Sequence, residues 1–176
     1  MAYLIVTKPD ASEHDPYFSR YINLVHREDV IRVLSMQVDD TLALLRDIPD
    51  SRGDYRYASD KWSVKEVVGH VIDSERVFAY RALTFARNDR VSLPGFEQDD
   101  WIRGGSYAAQ SLKELASEFE CVRRSNIYLF QHLDGEAWMR RGKANNAEVS
   151  VRALAYIIAG HELHHRKQLE EKYLRS

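Results

Sequence analysis

The sequence predicts an all-α protein, a four-helix bundle, on three observations. Four long stretches repeat apolar residues at three- and four-residue intervals. Only eight glycines and four prolines punctuate the 176 residues. Two of the four stretches open on the same capping signature, a serine followed three residues later by a glutamate. No stretch alternates convincingly as a strand would, so amphipathic helices of roughly 20 residues must bury their faces on one another.

The first helix is expected over about 28–47, where Val30, Leu34, Val38, Leu42 and Leu45 share a stripe before Pro49 and Gly53 stop it. The second opens at "SVKE", where Ser63 can cap and Glu66 can reach back, and runs to about Arg87. The third opens at "SLKE" with Ser111 and Glu114, and carries Leu112, Leu115, Phe119, Val122, Phe130 and Leu133 on one stripe. The fourth begins near Ser150, with a serine cap but no capping box, and runs to the end of the chain. The connection 88–110 is long enough to run the length of the bundle, and so can join parallel neighbours instead of closing a hairpin pair. The segment 134–149 is read as a connection, with a short hairpin as the alternative.

Composition narrows the class. With 44% hydrophobic and 30% charged residues, the chain suits a single domain over 1–176, its polar segment 1–15 loosely ordered. A net charge of −2 argues against a polyanion partner, so no nucleic acid is expected. No apolar run approaches the roughly 20 residues that span a bilayer, so no membrane role is expected. "MAYLIV" is too short for a signal-peptide core and has no basic segment before it. The lone Cys121 excludes an intramolecular disulfide framework and fits a cytoplasmic location.

Chemistry concentrates in "HELHH", residues 161–165, which matches the H-E-x-x-H letters of zinc proteases with Glu162 in the place of a general base. His161 and His165 stand one turn apart on one helical face and can point at one ion. His164 lies on the other side of His161 and could pair with it instead. The alternative is a solvated, histidine-rich turn interacting with the helix dipole. A zinc protease also needs a downstream third ligand, yet the extended signature finds Gln168 and Glu171 where glycine and histidine belong. Any third ligand must therefore come from upstream. Of His14, His26, His70 and His132, only His70 lies in the body of a predicted helix. If helices two and four face each other, His70 approaches His161 and His165, and three imidazoles with an open position form a catalytic pattern. Asp73, three residues after His70, is either a partner that orients an imidazole or an ordinary surface acid.

"KWSVKEVVGHVIDSERVF", "LPGFEQDDW" and "AYIIAGHELHHRKQL", in this order, resemble the DinB/YfiT-like superfamily over roughly residues 16–174. The resemblance implies a DinB-like four-helix bundle with an up-down-down-up arrangement, in which the long connection between helices two and three is the crossover. It implies one divalent metal ion, zinc or nickel, held by His70, His161 and His165, with His164 adjacent but not a ligand. It also implies a small-molecule substrate and a homodimer. Characterised relatives include transferases and isomerases that use bacillithiol, mycothiol or glutathione, and a YfiT-like branch is described as metal-dependent hydrolases.

Three functions compete. In the first, an S-transferase, the ion holds a low-molecular-weight thiol as its nucleophilic thiolate for attack on an electrophile, a detoxification reaction. In the second, a hydrolase, the ion activates water with Glu162 or Asp73 as base, although Glu162 lies about 100° around the helix from His161. The third is a non-catalytic metal or small-ligand binder. Trp62 is read as a packing anchor beside the Ser63 cap, and Trp101 and Phe96 as packing over one end of the bundle, with lining a pocket as the alternative.

Overall fold

The computed structural model describes residues 5–27 and 29–174. Four long helices form the bundle: α2 (Val30–Asp47), α3 (Val64–Ala86), α5 (Leu112–Gln131) and α7 (Val151–Gln168). Both predicted capping boxes close. The Ser63 hydroxyl accepts from the Glu66 amide while Glu66 accepts from the Ser63 amide, and Ser111 and Glu114 repeat the arrangement. Ser150 caps α7 by accepting from the Ala153 amide at 3.0 Å. The expected start of the first helix at Glu28 lies outside the described residues; Asp29 caps α2 through the Arg32 amide. The apolar stripes face inward: Val30, Leu34, Val38, Leu42 and Leu45 are buried, as are Leu112, Leu115, Phe119, Phe130 and Leu133. Val122 is partly buried against the same core. Among the described residues no helix is long and apolar enough to cross a membrane.

Hydrogen-bonded pairs give the helix directions. Gln37 donates to the Ala159 carbonyl and Thr41 donates to Glu162, so α2 and α7 run parallel. Lys65 reaches Ala108, just before α5, and Arg123 meets Glu75 further along, so α3 and α5 also run parallel. Asp50, just past α2, accepts from the Leu112 amide at the start of α5. His70 faces His161, while Trp62 before α3 accepts from Tyr173 beyond α7. The α2/α5 and α3/α7 pairs are therefore antiparallel, and the arrangement is up-down-down-up. The residues between α3 and α5 make the crossover, carrying a short helix α4 (Gln98–Gly104).

Three departures from the sequence reading shape the ends of the bundle. Segment 134–149 does hold a hairpin, after a short helix α6 (Gly135–Met139): β1 (Arg141–Ala144) pairs antiparallel with β2 (Ala147–Ser150). Its turn places Asn145 and Asn146 at φ 48° and 63°, the left-handed region that asparagine tolerates and two-residue hairpins require. Helix α7 ends at Gln168, and a π turn over Leu169–Tyr173 carries the chain onward. The segment expected to be loosely ordered, 1–15, also differs. Residues 1–4 lie outside those described, but Val6 is buried and Glu13 is 1% exposed, bound by Arg152 and by Ser150 at 2.7 Å. A buried carboxylate must be paired, and Arg152 on the first turn of α7 pairs it. The chain then enters α1 (Ser19–Ile22), which lies across α7.

A polar seam runs through the apolar core. Arg123 on α5 is fully buried; it donates to Glu75 on α3 at 2.8 Å and to Gln37 on α2 at 3.2 Å. Gln37 donates onward to the Ala159 carbonyl of α7 at 2.9 Å. Asn126 adds a second bond to Glu75 at 3.1 Å. One guanidinium thus links all four helices.

Removing the cation strands a buried carboxylate, so Arg123→Met should cost about 3–5 kcal/mol in urea unfolding. The double variant with Glu75→Met should lie closer to the wild type; a double variant as unstable as the sum of the two singles would show that the pair is not coupled. Burial by itself raises the Glu13 carboxyl, yet hydrogen bonds from Arg152 and Ser150 hold it at about 2, below its ordinary 4.5. The stability it supplies is therefore complete above about pH 4.5 and is lost as pH falls toward 2. Urea midpoints across that window should fall more steeply for the wild type than for Glu13→Gln.

Candidate metal centre

His70 sits two turns into α3, and His161 and His165 stand one turn apart on α7, the helix that packs antiparallel against α3. The three are 5%, 6% and 7% exposed. His70 Nε2 lies 3.1 Å from His161 Nε2, and His165 Nε2 lies 3.2 Å from the same atom. The ligand atoms that the three residues offer all fall within 4.8 Å of one another. Nitrogens about 2.0–2.1 Å from one ion stand about 3.3–3.4 Å apart at tetrahedral angles and about 2.9 Å apart at right angles. The ring spacing lies between these, and a four- or six-coordinate ion fits.

A hydrogen bond on the far side of the His165 ring sets its tautomer. His165 Nδ1–H donates to Gln168 Oε1 at 3.1 Å, which leaves the Nε2 lone pair bare. His70 Nδ1 lies 3.4 Å from the Ser74 hydroxyl. Burial pushes His70 down to about 4 and His165 to about 3, and takes His161 well below its ordinary value. All three rings are therefore neutral at pH 7. Neutral rings turning lone pairs on one another at hydrogen-bond distance need a proton or a cation between them, and that requirement fits a metal ion.

The other candidates from the sequence are engaged elsewhere. Asp73 accepts from the Tyr107 hydroxyl and pairs with Arg76 at 3.4 Å; Ser74, not Asp73, stands behind His70. The reason is rotational: the residue four positions on lies nearer the His70 ring than the residue three positions on. Glu162 is 2% exposed and points into the core seam, where it accepts from Thr41. Burial raises its carboxyl against the pull of Arg123 and Thr41. It therefore faces away from the imidazoles. His164 is exposed, with its ring edge-on to Tyr21 and His165, and lies outside the cluster. His14 and His132 bond to backbone carbonyls away from the site. His26 is exposed.

Two cavities reach the cluster. One, of about 430 Å³, is lined by His70, His161, Ser74, Phe78, Arg81 and Phe96, and walled by Tyr17, Phe18 and Tyr21 from the N-terminal segment. The other, of about 360 Å³, reaches His165 from the side of Arg20, Trp62 and Tyr173. Trp62 lies with its ring centre 4.8 Å from that of His70. Phe96 and Trp101 meet at a tilt of 39° with ring centres 4.6 Å apart; Trp101 stays 44% exposed, and Phe96 lines the larger cavity, the alternative reading for that pair.

The profile of the DinB superfamily matches residues 34–169, most of the chain and all three histidines. The chain belongs to the DinB superfamily. Its fold is also that of a solved DinB-like protein, YfiT from Bacillus subtilis, described as a probable metal-dependent hydrolase with an unusual four-helix bundle topology. That match has a TM-score of 0.68 at 16% identity, and covers 94% of this chain and 91% of the other. No curated protein matches the chain in sequence. A DinB-superfamily bundle carrying a buried histidine cluster is thus the setting for function.

Sequence reasoning missed Ser74, Gln168, Tyr21 and Arg81. Ser74 and Gln168 were within reach of it, because they stand four and three residues after His70 and His165 on the same helical faces. Tyr21 gave no such signal. It arrives through a long-range approach at Gly160, where an added Cβ would sit 2.0 Å from the Tyr21 carbonyl oxygen. The Tyr21 ring then packs edge-on to His161 at 5.2 Å. Gly160→Ala should therefore destabilise the protein by about 1–3 kcal/mol in urea unfolding. Unchanged stability would show that α1 does not need this close approach.

Proposed function

We propose that this protein is a metal-dependent enzyme acting on small molecules, with His70, His161 and His165 as the ligands, and that its reaction is thiol-dependent S-transfer. One observation carries the choice of reaction. Among the described residues no carboxylate hydrogen-bonds or ion-pairs with the three imidazoles. When bound there, a zinc or nickel ion supplies a Lewis-acidic position that holds a small thiol's sulfur in the nucleophilic thiolate form, with no protein base required. The chain's own residues then do the positioning. Gln168 and Ser74 fix the rings, and Trp62, Tyr21 and Phe78 exclude water. The larger cavity seats the electrophile beside His70 and His161.

Hydrolysis, with water in place of the thiol, is the second reading. It is favoured by the fold shared with YfiT and by the carboxylates of Asp15 and Glu97, which border the larger cavity.

The test begins with metal analysis of the purified protein. The wild type should carry about one equivalent; His161→Ala and His165→Ala should carry none, and His70→Ala much less. A His70→Ala variant with a full equivalent would remove His70 from the site. A panel of bacillithiol, mycothiol and glutathione with a chloro-dinitroarene then reads S-conjugate formation, and an ester panel reads hydrolysis. No conjugate with any thiol would end the transferase reading. Inactivity in both panels with metal retained would leave a binding protein.

A further inference from the structure

Arg81 stands eleven residues after His70 on α3, about 16 Å further along the helix and back on nearly the same face. Long helical side chains lean toward the N-terminus, so its guanidinium leans toward His70. It is 5% exposed. Its hydrogen bond runs from Nη2 to the Pro94 carbonyl at 2.7 Å, and its charged carbon lies 5.8 Å from the Phe78 ring centre. Among the described residues no carboxylate pairs with it. Three other buried or partly buried cations are matched: Arg123 has Glu75, Arg152 has Glu13, and Lys65 has Asp54. A buried guanidinium with five donors and one carbonyl is costly to keep unless something else pairs with it.

The cavity supplies the place for that partner. Arg81 lines the same space of about 430 Å³ as His70, Ser74 and His161, within the range of small-molecule sites. The two carboxylates bordering that space, half-buried Asp15 and exposed Glu97, do not reach it, and Asp15 is occupied by the Tyr17 amide at 2.8 Å.

We propose that Arg81 binds a carboxylate of the small molecule that reacts at the histidine centre, so that the substrate is an organic anion held at one end by Arg81 and presented at the other to His70 and His161. The assignment deepens the proposed function, because it takes the histidine cluster as the reacting centre. A carboxylate matches the guanidinium fork in two parallel hydrogen bonds and neutralises it. A neutral substrate of the same shape would leave the charge stranded.

The test is calorimetric titration of the purified protein with benzoate and with benzamide, its neutral counterpart. The wild type should bind benzoate at least ten times more tightly. Arg81→Met should abolish the preference, Arg81→Lys should keep part of it, and both variants should retain the wild-type metal content. Arg81→Met should stay folded at the temperature of the titration, as read by its urea unfolding curve, since it loses only the Pro94 hydrogen bond. Equal binding of the two probes, or binding of neither, would overturn the proposal. A preference that survives Arg81→Met would also overturn it, since the carboxylate would then sit on the imidazoles or their ion. Earlier unfolding of Arg81→Met with benzoate binding unchanged would make Arg81 a staple for the Pro94 loop and refute the anion role. An Arg81-dependent preference in protein that holds no metal would confirm the anion site and sink the metal-enzyme reading instead.

Discussion

The buried guanidinium of Arg123 is the constraint on which the rest of the bundle depends. Apolar ridges let helices slide and rotate at modest cost, whereas a charged fork in a dry core has few acceptable positions for its partners. Glu75, Gln37 and, through Gln37, the Ala159 carbonyl must meet it at hydrogen-bond distance, and these groups belong to three different helices. Pairing one side chain therefore sets the axial register of all four. Ala159 lies two residues before His161, and Glu75 lies five after His70, so the register that pairs Arg123 also brings the imidazoles together.

Helix α7 divides its work between two faces. Glu162 turns into the polar seam and accepts from Thr41, while His161 and His165 turn toward α3 and the cavities. The letters H-E-x-x-H thus combine two unrelated tasks on adjacent faces. The glutamate belongs to the packing of α2 on α7, and the histidines belong to the cluster. Burial keeps the rings neutral, and a neutral ring is the form that can offer a lone pair.

Much of this was legible in the sequence because it depends on local rules. Ser63 with Glu66 and Ser111 with Glu114 announce helix starts through bonds made within one turn. The stripes of α2 and α5 announce buried faces through period alone. His161 and His165 declare a shared face by spacing, and His70 follows once α3 and α7 are required to pack. What stayed hidden depends on distant partners. Glu13 looks like an ordinary surface acid until Arg152, 139 residues away, pairs with it. Asp73 draws attention through its charge, yet the helical rotation gives the position behind His70 to the uncharged Ser74. The hairpin of 141–150 lacks the clean alternation of a strand, and its two-asparagine turn carries the signal instead.

The N-terminal walls of the larger cavity have a consequence for divergence. Asp15, Tyr17, Phe18 and Tyr21 line that space, yet all four lie before residue 34, where the superfamily match begins. They are held by a clasp of Glu13 on Arg152 and by the contact of α1 on Gly160, and they take no part in the Arg123 seam. The chamber can therefore be reshaped by drift in a strap of about ten residues while the scaffold that gathers the histidines keeps its geometry. In such a molecule one wall of the chamber can change while the α3 and α7 residues that line its other side stay with the bundle.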